Sequence, residues 1–361
     1  MKKMKVASNR SIKCITALLT GVIMLLLLSF FAYSADDKFE KSISSFPESY
    51  KPYLRDLHEK YPKWQFIPFA TNLDWVDVID GEYGSKSLVQ SSSSSKIWKS
   101  HDRDDYNPVD GTFDAKDGGF VQANRFAVEY FIDPRNFLTE DGIFQFEVLE
   151  FNENYTVEMI ERVLKGSFMS KSKITYLKYD EKNDKLTTIK TDKTYADVIY
   201  AAGKKYNINP CYIASKILNE VGSDGSYSIY GDHPTYPGIY NFYNIGATDG
   251  EGAIKRGLLW AKGGSSGSTT YGRPWTTPEK SIMGGAQFLS EEYIAKGQYT
   301  GYLQRFNVNP ESSYKLFSHQ YMTNLTGALS QGYTTYASYA ALGMLDYSIT
   351  FSIPVYENMS G

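Results

Sequence analysis

The sequence predicts an α+β protein, mainly α, in which a smaller mixed α/β segment precedes a helical domain. Three observations carry that prediction. Apolar residues recur at helical spacing through much of the second half, as in Val198, Ile199, Ala202 and Tyr206. Strand-like stretches are few and short, 64–69 and 347–355 among them. A Lys-, Asp- and Thr-rich stretch, 170–193, separates the two halves.

The expected divisions are a leader at 1–34, a mixed segment at 35–169, a hairpin linker at 170–193 and a helical domain at 194–361. In the leader, Lys2, Lys3, Lys5, Arg10 and Lys13 precede a charge-free, mainly apolar run from Cys14 to Ala32, with small residues at Ser34 and Ala35. This is the order of a secretory signal. The run, about 19 residues, also has the length of an uncleaved membrane anchor. The protein is therefore expected to be exported, as a free or an anchored chain.

Without residues 1–34 the net charge moves from −3 to −8. That balance argues against nucleic acid, whose phosphates demand clustered Lys and Arg, and gives little attraction to anionic lipid. A near-neutral partner such as sugar fits. Cys211 is the one cysteine outside the leader, so no intrachain disulfide forms there. A chain of this length can stand on its core alone. The four histidines, His58, His101, His233 and His319, show no metal-ligand spacing. Neither metal nor cofactor is expected, and the protein is expected to act as a monomer.

Taken in order, 50–61 places Leu54, Leu57 and Tyr61 at helical spacing, 64–69 alternates as a strand, and 123–131 and 157–164 return to helix. The serine run 91–95 and the Asp- and Gly-rich 102–119 read as loops. Two strand-like runs around Glu181-Lys182-Asn183-Asp184 make an exposed hairpin. Thr194 with Asp197 starts a helix. The next opens at Asn209-Pro210 and closes at Gly222, proline early and glycine late. From Gly222 to Arg273 the abundance of Gly, Tyr and Asp signals shaped loops around a site. Helices follow at 278–293 and 328–345, then a closing strand at 347–355.

On the helix from Pro210 to Val221, Ile213, Ala214, Ile217, Leu218 and Val221 share an arc of about 140°, and Glu220 falls about 20° outside it. A carboxylate there is half shielded from water, and in the last helical turn the dipole opposes its charge. Both effects favour the protonated acid that glycosidic leaving groups require. The plainer reading is a surface ion pair between Glu220 and Lys216, one turn earlier. Beyond the helix come Tyr227, Tyr230, Tyr236, Tyr240, Phe242 and Tyr243, then Trp260, Tyr271 and Trp275. Aromatic faces beside polar groups such as Asn241 and Asn244 suit sugar rings, although core packing explains them equally well.

Four stretches in this order, Ala214-Ser215-Lys216-Ile217-Leu218-Asn219-Glu220-Val221-Gly222, Tyr240-Asn241-Phe242-Tyr243-Asn244-Ile245-Gly246-Ala247, Tyr271-Gly272-Arg273-Pro274-Trp275 and His319-Gln320-Tyr321-Met322-Thr323-Asn324, resemble the β-N-acetylglucosaminidases of glycoside hydrolase family 73. The resemblance covers about 194–355; that of 46–168, through Asp133-Pro134-Arg135-Asn136-Phe137, is looser. It implies a lysozyme-like catalytic domain and cleavage of the β-1,4 bond after N-acetylglucosamine in peptidoglycan, outside the cell or at the wall. Glu220 would be the catalytic acid and Tyr321 an aromatic hydroxyl facing it, unless Tyr321 is buried with its hydroxyl on the backbone. Tyr240, Asn241, Phe242 and Asn244 would line the glycan groove, and Trp275 or Arg273 would hold the strand, with Gln320 as a further substrate contact. The second carboxylate is assigned to Asp249, with Glu251 and Asp232 as alternatives; failing these, the substrate acetamido group attacks. Two rivals remain open. A lysozyme-like fold does not fix the bond, so a muramidase or lytic transglycosylase fits too. The other rival is a wall-binding protein with an idle acid.

Overall fold

The computed structural model describes residues 37–83, 87–117, 119–170, 172–247, 250–320 and 323–359, so the leader lies outside the described residues. Among the described residues, no helix is long and apolar enough to cross a membrane.

Most of the expected elements form where local chemistry directs them. Thr194 caps the helix Tyr195–Tyr206 in a reciprocal box, its hydroxyl accepting from Asp197 N–H while the Asp197 carboxylate accepts from Thr194 N–H at 2.9 Å. The hairpin pairs Lys173–Asp180 with Lys185–Thr194 in antiparallel register, Tyr176 opposite Ile189 and Tyr179 opposite Leu186. Helices Lys51–Lys60, Arg125–Ile132, Val157–Val163 and Pro278–Glu292 occupy the expected stretches, and Gly327–Ala341 ends a few residues early. Among the described residues, the 222–273 stretch is loop apart from the helix Ala253–Lys262 and a 3-10 turn at Thr270–Gly272. That helix lies between two left-handed glycines, Gly252 and Gly263, and buries a short apolar face of Leu258 and Ala261.

The two halves on either side of 170–193 are joined by a strand pairing. The closing strand, Thr350–Glu357, does not stay within the second half: it pairs in parallel with Gln65–Asp74, Gln65 opposite Thr350 and Ala70 opposite Val355. Tyr50 Oη donates to Pro354 O at 3.1 Å and Trp64 Nε1 to Leu345 O at 2.9 Å. One core spans both halves, from Leu54, Trp64 and Phe146 to Ile199, Ile213 and Phe351. Parallel strands need a long crossover between them, and here the whole helical body is that crossover. Sequence periodicity marks each strand but not its distant partner.

Candidate active site

The helix Pro210–Val221 carries Glu220. Asn209 caps its start, with Oδ1 accepting Cys211 N–H at 2.8 Å and Tyr212 N–H at 3.1 Å. Gly222, at φ 76°, ends it. Pro210, Cys211, Ile213, Ala214, Ile217 and Val221 are buried, which holds the helix against the core. Glu220 sits on the margin of that face with its side chain 31% exposed, and its Oε1 lies 3.2 Å from Lys216 Nζ. The plain ion pair is therefore present, on a carboxylate that still meets solvent.

Asn244, in left-handed backbone at φ 49°, donates from Nδ2 to Glu220 O at 2.6 Å. It satisfies a carbonyl of the last helical turn and ties the Tyr-Asn-Phe-Tyr-Asn segment to the acid. The rest of that segment does not present itself to a ligand. Tyr240, Asn241 and Phe242 are buried, as is Trp275. Tyr240 Oη accepts from Leu177 N–H at 2.8 Å and donates to Leu177 O at 2.7 Å, fastening the hairpin. Asn241 Nδ2 donates to Ile245 O and Gly257 O, each at 2.9 Å. Phe242 N–H donates to Ser281 Oγ at 3.0 Å, and Trp275 Nε1 to Tyr271 O at 2.8 Å. A Gly-rich irregular stretch leaves backbone groups without ladder partners, and these side chains supply them. The expected lining residues are thus the frame behind the site.

Gln320 and Arg273 also turn inward. Gln320 Nε2 donates to Glu82 Oε2 at 2.7 Å, and Glu82 forms a fully buried ion pair with Arg305 at 2.9 Å. Arg305 further holds the carbonyls of Asn324 and Thr323 at 3.0 and 3.3 Å. Arg273 lies 4.1 Å from the Trp260 ring centroid and donates to Trp260 O and Thr270 O. The aromatic surface open to solvent is instead the loop after Gly222. Tyr227 and Tyr230 are 48% and 44% exposed, set edge to face, and His233 stacks on Tyr236.

Asp249 and Tyr321 lie outside the described residues, while Asp232 and Glu251 are exposed. Among the described residues, no group of three or more His, Cys, Asp or Glu could hold a metal. Sequence reasoning missed Glu147. It is buried, and its Oε1 accepts from Asn209 Nδ2 and Tyr339 Oη, both at 3.0 Å. Burial pushes this carboxyl up to about 7, partly offset by those two bonds. The signal was a lone carboxylate inside the apolar run Ile143-Phe144-Gln145-Phe146-Glu147-Val148-Leu149.

The site so defined is a partly exposed carboxyl group at the end of a buried helix, followed in the chain by an aromatic loop, in a lysozyme-like fold. That fold is shared with a major bifunctional autolysin, at TM-score 0.54 and 22% identity over 81% of this chain and 98% of that one. Glucosaminidase B of S. aureus matches at TM-score 0.53 and 20% identity, over 81% of this chain and 94% of its own. No protein-family model matches the chain. By sequence it is 28% identical over 247 residues to a beta-N-acetylglucosaminidase of Bacillus subtilis (strain 168), covering 66% of this chain and 23% of that protein. A bifunctional autolysin of Staphylococcus epidermidis is 30% identical over 165 residues, 43% of this chain and 11% of its own length. The chain thus spans less than a quarter of these relatives. The resemblance to family 73 glucosaminidases, read from four motifs, is borne out by them.

Proposed function

We propose that this protein is a glycoside hydrolase that cuts the β-1,4 bond between N-acetylglucosamine and N-acetylmuramic acid in peptidoglycan. Glu220 gives its proton to the glycosidic oxygen as the bond to the anomeric carbon breaks. A water molecule, activated by a second carboxylate for which Asp249 is the choice, or the substrate acetamido oxygen, attacks that carbon. The observation that carries the reading is Glu220 itself, half-exposed at the end of a buried helix and tied through Asn244 to the second of the four motifs. The similarity to proteins named beta-N-acetylglucosaminidase and bifunctional autolysin supports the substrate. Tyr227 and Tyr230 offer ring faces to the glycan, and the positively charged leader of 1–34 fits export to the wall.

The test is release of reducing ends from purified peptidoglycan by the chain without residues 1–34. Wild type should yield N-acetylglucosamine ends, and Glu220→Gln should lose about 10²- to 10⁴-fold in rate. Muramic acid ends would assign the other bond. Undiminished sedimentation of both proteins with the wall, without release by either, would make this a binding protein.

A further inference from the structure

The helix Trp75–Tyr83 and the strand Leu88–Gln90 belong to the first half of the chain, yet they grip the fourth motif, 319–324, from the second. Leu88 N–H donates to Thr323 O at 2.9 Å, and Leu325 N–H donates back to Leu88 O at 2.8 Å. On the helix, a Cβ at Gly81 would collide with the Phe317 ring, so the two elements touch there without a side chain between them. Next to Gly81 stands Glu82, buried, which accepts from Ser87 Oγ and from Gln320 Nε2 and pairs with Arg305 Nη1 at 2.9 Å. Arg305 turns its other nitrogens on the same motif, Nε to Asn324 O at 3.0 Å and Nη2 to Thr323 O at 3.3 Å.

Stability is a poor explanation for this pair. Desolvation cancels much of the attraction between two buried charges, and apolar replacements of similar volume are often neutral. What the pair supplies is geometry. A guanidinium presents its donors in a rigid plane, the Glu82 carboxylate fixes that plane, and two consecutive carbonyls are thereby held in one place. Asn324, the second of them, lines the groove of about 320 Å³ whose other lining residues include Tyr212, Lys216 and Asn219 of the acid-bearing helix. Lys216 Nζ in turn lies 3.2 Å from Glu220. A continuous path of contacts thus runs from Glu82 to the surroundings of the acid.

We propose that Glu82 and Arg305 are positioning residues, which set where the fourth motif stands against the acid-bearing helix. Cleavage by the second half of the chain then depends on a carboxylate from the first. Both side chains are buried and act through the backbone of Thr323 and Asn324, not on the substrate. The inference rests on the glycan-cleaving function proposed above.

Two variants test it. Arg305→Lys keeps the charge beside Glu82 but gives up the planar fork. Glu82→Gln combined with Arg305→Met removes both charges and should melt close to wild type. Per folded molecule, on soluble glycan, each should lose about 10- to 100-fold in kcat, with KM within about twofold of wild type. Wild-type kcat in a folded variant would reduce the pair to packing and overturn the proposal. So would a rise in KM at unchanged kcat, the mark of a lost substrate contact. Should neither variant fold, Gln320→Met, at a half-buried position, takes their place: a loss of about fivefold in kcat is expected for one hydrogen bond, and no loss overturns the proposal. If wild type cleaves no glycan, the function above has failed instead. Amide exchange at Leu325 then decides the clamp: faster exchange in Arg305→Lys than in wild type upholds it, and equal exchange refutes it.

Discussion

Two tyrosine-rich stretches, 227–236 and 240–244, follow one another along the chain and have opposite fates. Rings of the first meet solvent and each other, as Tyr227 does with Tyr230 and His233. The second is anchored residue by residue to separate elements: Tyr240 N–H to Trp275 O at 3.0 Å, Asn241 N–H to Ser228 O at 2.8 Å, Phe242 N–H to Ser281 Oγ. Both are rich in tyrosine; what differs is where the backbone hydrogen bonds go. Tyrosine content beside an acid therefore does not by itself mark an exposed aromatic surface; burial of the rings follows the anchoring of the backbone that carries them.

That contrast can be broken by substitution. The largest effect is expected inside the frame. Asn241→Ala strands the buried groups that the amide now satisfies and should cost about 4 kcal/mol of stability by denaturant unfolding. At the other end of the acid helix, Glu147→Gln should act only at higher pH. A native carboxyl that titrates near 7 binds more protons than the unfolded chain between its ordinary range and 7, so stability falls as pH rises through that window. Glu147→Gln keeps an acceptor for Asn209 and Tyr339 without the buried charge. It should match wild type near pH 4.5 and exceed it by about 3 kcal/mol at pH 8, read from melting curves at both values. Tyr240→Phe removes the hydroxyl that clasps the hairpin at Leu177 and should cost about 1.5 kcal/mol, with faster amide exchange at that residue. Tyr227→Ala should change stability by no more than about 0.5 kcal/mol. Its signature is a rise in KM for soluble glycan, about three- to tenfold for one lost ring face. If it instead unfolds the protein, the contrast between the two stretches fails.

What the sequence made legible follows the range of the interactions. Caps within three residues, such as Thr194 with Asp197 and Asn209 ahead of Pro210, are visible because partner and signal lie in one turn. The half-shielded place of Glu220 was legible for the same reason, since helical phase fixes it. Pairings across the chain were not. Nothing around Glu82 announces Arg305, and nothing around Gln65 announces Thr350, because a buried partner leaves its mark only where it happens to lie in sequence. The inward turn of Tyr240, Asn241, Phe242 and Trp275 was hidden by an overlap: residues good at stacking on sugar are also good at filling a core.

The parallel pairing of Gln65–Asp74 with Thr350–Glu357 also sets an order of events. During synthesis the first strand emerges and waits while nearly the whole helical body is made before its partner arrives. Contacts so distant in sequence close late. Until Thr350–Glu357 docks, the Glu147–Asn209 corner, whose neighbour Val148 N–H donates to Thr350 O at 2.9 Å, lacks one of its walls. A chain cut short ahead of Thr350 leaves an apolar strand unmated, ready to pair with another molecule.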